Sequence, residues 1–168
     1  MKKILNLALA FCVLASYAQK KQITLEEIWK DKVFKPVTFT GFNSMNDGLH
    51  YTQVDENSDL AKYELNTGKK VEVLVKASEL MPEGKSTAIK IEDYYFSDDE
   101  TKLVLKNDFE PIYRHSGTAT NYVFDLKTHK LKTLSDKGKQ MFATIAPVGN
   151  KVAFVRDNNL FIKDLDNN

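Results

Sequence analysis

The chain has 168 residues, of which 42% are hydrophobic and 28% are charged, and its formal net charge is +1. This hydrophobic fraction is enough for a packed core. The balanced charge gives no electrostatic reason to expect a nucleic acid or an anionic membrane surface as a partner. The only cysteine, Cys12, lies within the first 18 residues, so a chain without them can form neither a disulfide framework nor a zinc-thiolate site.

The first 18 residues have the layout of a secretory signal peptide. Two lysines precede an apolar stretch over residues 4–14, and small residues occupy the positions required before a cut after Ala18. The apolar stretch is shorter than the about 20 residues that a membrane-spanning helix needs. Phe11 stands before Cys12 where a lipoprotein would have a small residue, which favours a cleaved signal peptide. We therefore expect an exported protein, periplasmic or secreted.

Residues 19–41 are expected to hold one short helix and a lead-in strand. Thr24, with Glu27 three residues later, has the spacing of a capping box at a helix N-terminus. Pro36 prevents the helix from continuing. Beyond this segment the pattern changes to short β-type runs separated by turn residues.

One sequence pattern recurs three times after residue 42. Each copy reads as a strand, a turn, a second strand, a loop, a third strand that ends in an acidic residue and leucine, and a polar turn. Equivalent turns contain Gly48, Glu100 and Gly149. They lie about 50 residues apart, close to the length of a propeller blade. The sequence predicts an all-β fold in which residues 42–168 form about three blades of an incomplete β-propeller. Three blades cannot close a ring, so we expect this chain to be a truncated part of a longer protein.

The second copy of the pattern carries two further predictions. In its third strand, apolar Tyr122 and Phe124 alternate with polar Asn121 and Asp125, which indicates a half-buried strand. The segment 106–120, between the second and third strands, is much longer than the corresponding link in the third copy. We expect this segment to be a long loop.

No catalytic or cofactor motif is present in the sequence. It contains no Gly-x-Ser-x-Gly, no His-Glu-x-x-His, no P-loop and no dinucleotide-binding glycine motif, so we expect no cofactor and no metal. His50, in a strand, and His129, in a tight turn, are better explained as sheet-face and solvated residues than as metal ligands. The acidic run 98–100 falls in a hairpin turn, where such side chains usually bond their own backbone.

The run Arg114-His115-Ser116 suggests a catalytic pair at first sight. Adjacent residues of an extended strand point to opposite faces, so His115 is badly placed to act as a base for Ser116. From the residues alone, Arg114 is best explained as an exposed arginine on a hairpin.

A family resemblance favours a functional role for the run Arg114-His115-Ser116. Tyr-Arg-His-Ser at 113–116, Thr-Ala at 118–119 and Tyr-Val-Phe-Asp-Leu at 122–126 resemble the N-terminal propeller region of dipeptidyl peptidase IV, in the prolyl oligopeptidase family of serine peptidases. The helix over 23–30 and the strand pairs over 146–162 are similar to the same region. The resemblance extends from about Ile23 to the end of the chain.

The resemblance implies an exopeptidase that removes N-terminal dipeptides with Pro or Ala in second place. In that family an eight-bladed propeller covers an α/β-hydrolase domain. The arginine that matches Arg114 binds a carbonyl of the peptide substrate, and His115 is a weaker candidate for the same site. The catalytic triad and the glutamates that bind the substrate amine have no counterpart here. We therefore expect a part that gates and positions substrate and is inactive without the hydrolase domain.

Two questions stay open at this stage. The resemblance allows for a homodimer of the full-length protein. An alternative to the peptidase is a non-catalytic propeller that serves as a binding or scaffold protein of the cell envelope. A hydrolase motif encoded beyond Asn168 would favour the peptidase, and its absence would favour the scaffold.

Overall fold

The computed structural model describes residues 22–35, 41–147 and 149–166. The predicted signal peptide over residues 1–18 lies outside the described residues, as does most of the segment in which the lead-in strand was expected. The chain divides into two compact units, Met1–Phe39 and Thr40–Asn168. No helix in the described part of the chain combines the length and apolar character needed to cross a membrane.

The first unit contains the predicted short helix as one turn of π-helix over Glu26–Lys30. The capping box is present: the Glu27 amide donates to Thr24 Oγ1 at 3.2 Å, and the Thr24 amide donates to Glu27 Oε2 at 3.3 Å. The turn is wider than that of an α-helix because the Asp31 amide donates to the carbonyl of Glu26, five residues earlier.

The second unit consists of three antiparallel sheets that follow one another along the chain. The first sheet contains β1 (Asn43–Ser44), β2 (His50–Val54), β3 (Leu60–Glu64) and β4 (Lys70–Val75). The second contains β5 (Asp93–Phe96), β6 (Lys102–Tyr113), β7 (Ser116–Asp125) and β8 (Lys130–Thr133). The third contains β9 (Met141–Ile145), β10 (Lys151–Arg156) and β11 (Asn159–Asp164). A 3₁₀ turn over Ala77–Glu79 lies between the first two sheets. The sheets match the three predicted repeats and form part of a β-propeller.

The three turns predicted to be equivalent share one geometry. Gly48, Glu100 and Gly149 have φ values of 67°, 52° and 73°. In each case the amide donates to the carbonyl three residues earlier, at distances of 3.1, 2.8 and 2.8 Å. A Cβ at Gly149 would also lie 3.3 Å from the Asp99 carboxylate of the preceding blade, which is closer than most Cβ contacts. The repeat is therefore confirmed at the level of single turns.

The middle sheet is buried on both faces, and the prediction of a half-buried third strand is wrong. One cluster joins the first two sheets and the segment between them: Leu60, Val75, Leu80, Tyr94, Leu103, Leu105, Tyr122 and Phe124. The other joins the second and third sheets: Val104, Val123, Leu134, Ile145, Val152, Phe154 and Leu165. Asn121, expected on a solvent face, is only 2% exposed. A blade between two neighbours has no solvent face, so alternation along its strands does not separate buried from exposed residues.

Polar contacts fix the first sheet against the second. The hydroxyl groups of Thr52 and Tyr94 lie 2.9 Å apart in the buried interface, and the Asn43 side-chain amide donates to the Tyr94 carbonyl at 3.0 Å. Near the first hairpin turns, the Asn46 amide donates to Glu100 Oε1 at 2.6 Å. The two blades are thus held in one fixed orientation.

Candidate functional site

The long loop predicted over 106–120 is wrong, because this segment is a continuous β-hairpin. The ladder between β5 and β6 ends at the pair Asp93–Lys106, and the ladder between β7 and β8 ends at Tyr122–Thr133. Beyond those points β6 and β7 pair only with each other within their sheet. We call residues 107–120 the ribbon. It extends past its own sheet as a two-stranded arm.

Arg114 and His115 form the two-residue turn at the tip of the ribbon, between the paired residues Tyr113 and Ser116. Both turn residues are exposed, and Tyr113 is 80% exposed. Within the described ranges, the Arg114 side chain has no ion-pair or hydrogen-bond partner. A guanidinium in this position offers fixed donors to a carbonyl or carboxylate oxygen.

A β-bulge near the base changes the direction of the ribbon. The register shifts between the pairs Asn107–Thr120 and Glu110–Thr118, and Asp108 has a φ of 56°. An extra residue on one strand bends a hairpin and increases its twist. The Phe109 ring lies over Gly117, and a Cβ on that glycine would also come within 2.6 Å of the Glu110 carbonyl oxygen. A glycine is therefore required opposite the bulge for steric reasons.

The ribbon is attached to the segment that leads into the third sheet. Ala119 and Gln140 exchange two backbone hydrogen bonds, of 2.9 and 2.8 Å. The Gln140 side-chain oxygen accepts from the Asn121 amide at 3.0 Å and from its side-chain nitrogen at 3.2 Å. Gln140 is only 1% exposed, so these buried polar groups satisfy one another.

Lys139 makes a second attachment on the other strand of the ribbon. Its Nζ donates to the Asp108 carbonyl oxygen at 2.7 Å and lies 2.9 Å from both Asp108 Oδ2 and Glu110 Oε1. Hydrogen bonding from Glu110, followed by that from Asp108, raises the pKa of Lys139 and keeps it protonated. One ammonium group thus contacts the backbone and both acidic side chains at the bulge.

A cleft of about 360 Å³ lies between the ribbon and the start of the third sheet. Aromatic side chains line it: Tyr95, Phe109, Tyr113 and Phe142. Arg114 and His115 contribute polar groups at its rim. The Tyr95 hydroxyl donates to the Ala143 carbonyl, and burial raises the pKa of this tyrosine.

Phe142 has an unusual backbone for a bulky residue. Its φ is 51°, and its side chain is 65% exposed beside the cleft. The residue lies in a register shift of β9, between the pairs Val155–Met141 and Ala153–Thr144. Left-handed backbone is unfavourable for large side chains. This bulge directs an aromatic ring toward the cleft that carries Arg114.

The other sequence candidates do not join this site. His50 Nδ1 lies 2.6 Å from Asp47 Oδ2, and His129 Nδ1 lies 2.9 Å from Glu79 Oε1. The Asp99 carboxylate accepts hydrogen bonds within its own turn, as predicted. In the part of the chain that the structure describes, no group of three or more His, Cys, Asp or Glu residues is arranged to hold a metal.

The residues that support the ribbon carry no signature in the sequence. Lys139, Gln140 and Phe142 belong to no motif, and they reach the ribbon from the segment that precedes and opens the third sheet. Their contribution depends on the pairing of Ala119 with Gln140, for which the sequence pattern gave no signal.

Comparisons with known proteins agree with this architecture. A family model described as "Dipeptidyl peptidase IV (DPP IV) N-terminal region" matches residues 97–168. The chain is 30% identical over 155 residues to a probable dipeptidyl-aminopeptidase B of Tuber melanosporum, a match that covers 86% of this chain and 17% of the relative. It is 31% identical over 123 residues to dipeptidyl peptidase 4 of Trichophyton rubrum, covering 71% of this chain and 15% of that protein.

A solved structure supports the same relationship. The crystal structure of Porphyromonas gingivalis dipeptidyl peptidase 4 matches with a TM-score of 0.71 and 35% identity, covering 88% of this chain and 21% of that one. The chain therefore spans about a fifth or less of the length of these relatives. Residues 97–168 match the N-terminal region of the dipeptidyl peptidase IV family, and the structural match over most of the chain supports the same assignment.

Proposed function

We propose that this chain is the N-terminal propeller part of an exported serine dipeptidyl peptidase that releases N-terminal dipeptides with Pro or Ala in second place. In this proposal the ribbon gates and positions the peptide substrate. In this proposal the catalytic triad and the acidic residues that bind the substrate amine belong to the rest of the full-length protein. Export follows from the signal-peptide pattern over residues 1–18.

One observation carries the proposal. Arg114 lies at the tip of an arm that extends beyond its own sheet, with its guanidinium unpaired among the described residues and beside an aromatic cleft. Exposed arginines are often unpaired, so it is the position of Arg114 beside the cleft, at the tip of the ribbon, that favours a role in binding substrate. The printed names of the matched relatives, dipeptidyl-aminopeptidase B and dipeptidyl peptidase 4, supply the reaction class.

In the proposed mechanism, Arg114 donates hydrogen bonds to a peptide carbonyl oxygen near the substrate N-terminus. The charge and planar geometry of the guanidinium fix the position of that oxygen. His115 shares the turn and has a secondary contact with the substrate.

The test is Arg114→Ala in the full-length protein, assayed with Gly-Pro and Ala-Pro chromophore conjugates. Loss of one charge-assisted hydrogen bond, worth about 1.5–3 kcal/mol, should lower kcat/KM by roughly 10- to 100-fold while folding is unchanged. Arg114→Lys should restore activity only in part, because an ammonium group lacks the planar donor arrangement.

The matched control is Lys127→Ala, an exposed cation in the next hairpin turn of the same blade. His129 is less suitable as a control because it pairs with Glu79. If Arg114→Ala has wild-type kinetics, Arg114 is an exposed surface residue that does not bind the substrate. Absence of dipeptide release by the full-length protein would favour the envelope scaffold.

A further inference from the structure

The ribbon needs support from outside its own sheet. Residues 107–120 pair only with each other within that sheet, and an isolated two-stranded hairpin is at best marginally stable in water. The bulge at Asp108 further interrupts the pairing. The position of Arg114 must therefore be set partly by the contacts that the ribbon makes with other segments.

Lys139 is the charged residue that makes the most of those contacts. Its ammonium group contacts one backbone oxygen and two carboxylates, all within 2.9 Å and all belonging to the bulge. The Lys139 side chain is 21% exposed, whereas those of Asp108 and Glu110 are 64% and 68% exposed. The lysine is thus the fixed, better-buried partner, and the two acids attach the ribbon to it.

We propose that Lys139 is a positioning residue, which holds the bulge of the ribbon and thereby sets where Arg114 meets the substrate. Glu110 precedes Arg114 by four residues, so the attachment lies about 13 Å from the tip at the usual rise of a strand. A small change of direction at the bulge would displace the guanidinium from the carbonyl oxygen. The expected effect of Lys139 on activity rests on the proposed function, whereas its expected effect on the ribbon does not.

The ribbon is measured first, by amide hydrogen exchange of residues 107–120 in the full-length protein. Lys139→Met removes the charge and keeps most of the side-chain volume. We expect exchange in the ribbon to become roughly 3- to 10-fold faster, with no change in residues 102–106 of the same strand. Lys139→Arg should restore slow exchange. Lys137→Met, an exposed lysine two residues away, is the matched control and should have no effect.

The second readout is a double-mutant cycle with Arg114→Ala. If Lys139 acts through Arg114, Lys139→Met should raise KM about 3- to 10-fold with little change in kcat. It should have no further effect on kcat/KM once Arg114 is alanine. A general loss of folding would instead lower activity in both backgrounds. Fully additive effects, or unchanged exchange in the ribbon, would overturn the proposal.

The two readouts separate failure of this inference from failure of the proposed function. If the full-length protein releases no dipeptides, or if Arg114→Ala is fully active, the proposed function fails. Exchange alone then decides whether Lys139 holds the ribbon: faster exchange supports it, and unchanged exchange refutes it.

Discussion

Gly117→Ala provides a direct test of the ribbon geometry. Gly117 does not have the left-handed backbone that favours glycine, so alanine there would ordinarily stabilise the chain by about 0.4–1 kcal/mol. Its new Cβ would, however, lie 2.6 Å from the Glu110 carbonyl oxygen and would also meet the Phe109 ring. Overpacking of this kind costs about 1–3 kcal/mol. Because one of the clashing atoms belongs to the backbone and cannot move aside as a side chain can, the overpacking cost should fall in the upper half of that range, and the net cost to the ribbon should be about 1–2.6 kcal/mol.

This cost should be local, because the ribbon extends past the ladders that hold the sheet together. Amide exchange in residues 107–120 should become roughly 5- to 70-fold faster, at about 1.4 kcal/mol for each factor of ten. Exchange in residues 102–106 should not change. Gly41→Ala is the matched control, because a Cβ at Gly41 meets no atom within 4 Å. If Gly117→Ala changes ribbon exchange no more than Gly41→Ala does, the packing described for the bulge is wrong.

Three further predictions follow from the fold and the sequence. Leu103 and Val104 are neighbours buried on opposite faces of the middle sheet. In denaturant titrations, Leu103→Ala should lower the free energy of unfolding by about 2–5 kcal/mol and Val104→Ala by about 1.5 kcal/mol. A neutral result for either variant would mean that the sheet is buried on one face only. Hydrogen bonds from the Leu49 amide and then from the His50 side chain lower the pKa of Asp47 from 3.8 to about 2. Ionised Asp47 therefore stabilises the folded chain fully above pH 3.8, and this stabilisation is lost as the pH falls toward 2. An NMR titration should give that midpoint, and Asp47→Asn should weaken the acid dependence of stability over that range; a midpoint near 3.8 would contradict the hydrogen bonding described. Residues 19–168 produced alone should associate through unpaired blade edges and should not cleave dipeptide conjugates; a monodisperse monomer, or hydrolysis sensitive to serine-peptidase inhibitors, would contradict this.

The blade repeat was predictable because its turns impose local requirements. A tight turn with one left-handed residue favours glycine or a polar residue, and the sequence places Gly48, Glu100 and Gly149 at a constant interval. Hydrophobic alternation was less informative about burial. It located β7, but the burial of Asn121 and Val123 depends on a neighbouring blade that the alternation of a single strand does not reveal.

The ribbon was mistaken for a loop because its composition is that of a loop. Asn107, Asp108, Pro111 and Gly117 are all residues that usually interrupt strands. In the structure each has a place within the hairpin: Asp108 forms the bulge, and Pro111 pairs with Gly117 where the ribbon has no neighbouring strand in its sheet. Proline is tolerated in that position because an edge strand does not need every amide to donate to a ladder.

Arg114 was identified by family resemblance, and its setting shows why the residues alone were insufficient. An exposed arginine in a turn is common, and what distinguishes this one is the support beneath it. Much of that support comes from Lys139 and Gln140, which contact both strands of the ribbon from the segment leading into the next blade. The Lys90 carbonyl and the Glu92 carboxylate, just before its own sheet, accept further hydrogen bonds from Asn107 and Phe109. The hairpin of one blade is therefore positioned by the chain that begins the next. Changes at Lys139 or Gln140 should alter where Arg114 presents its donors, although neither residue belongs to the sheet that carries Arg114. In a propeller of this kind, the geometry of a binding arm is a property of two adjacent blades.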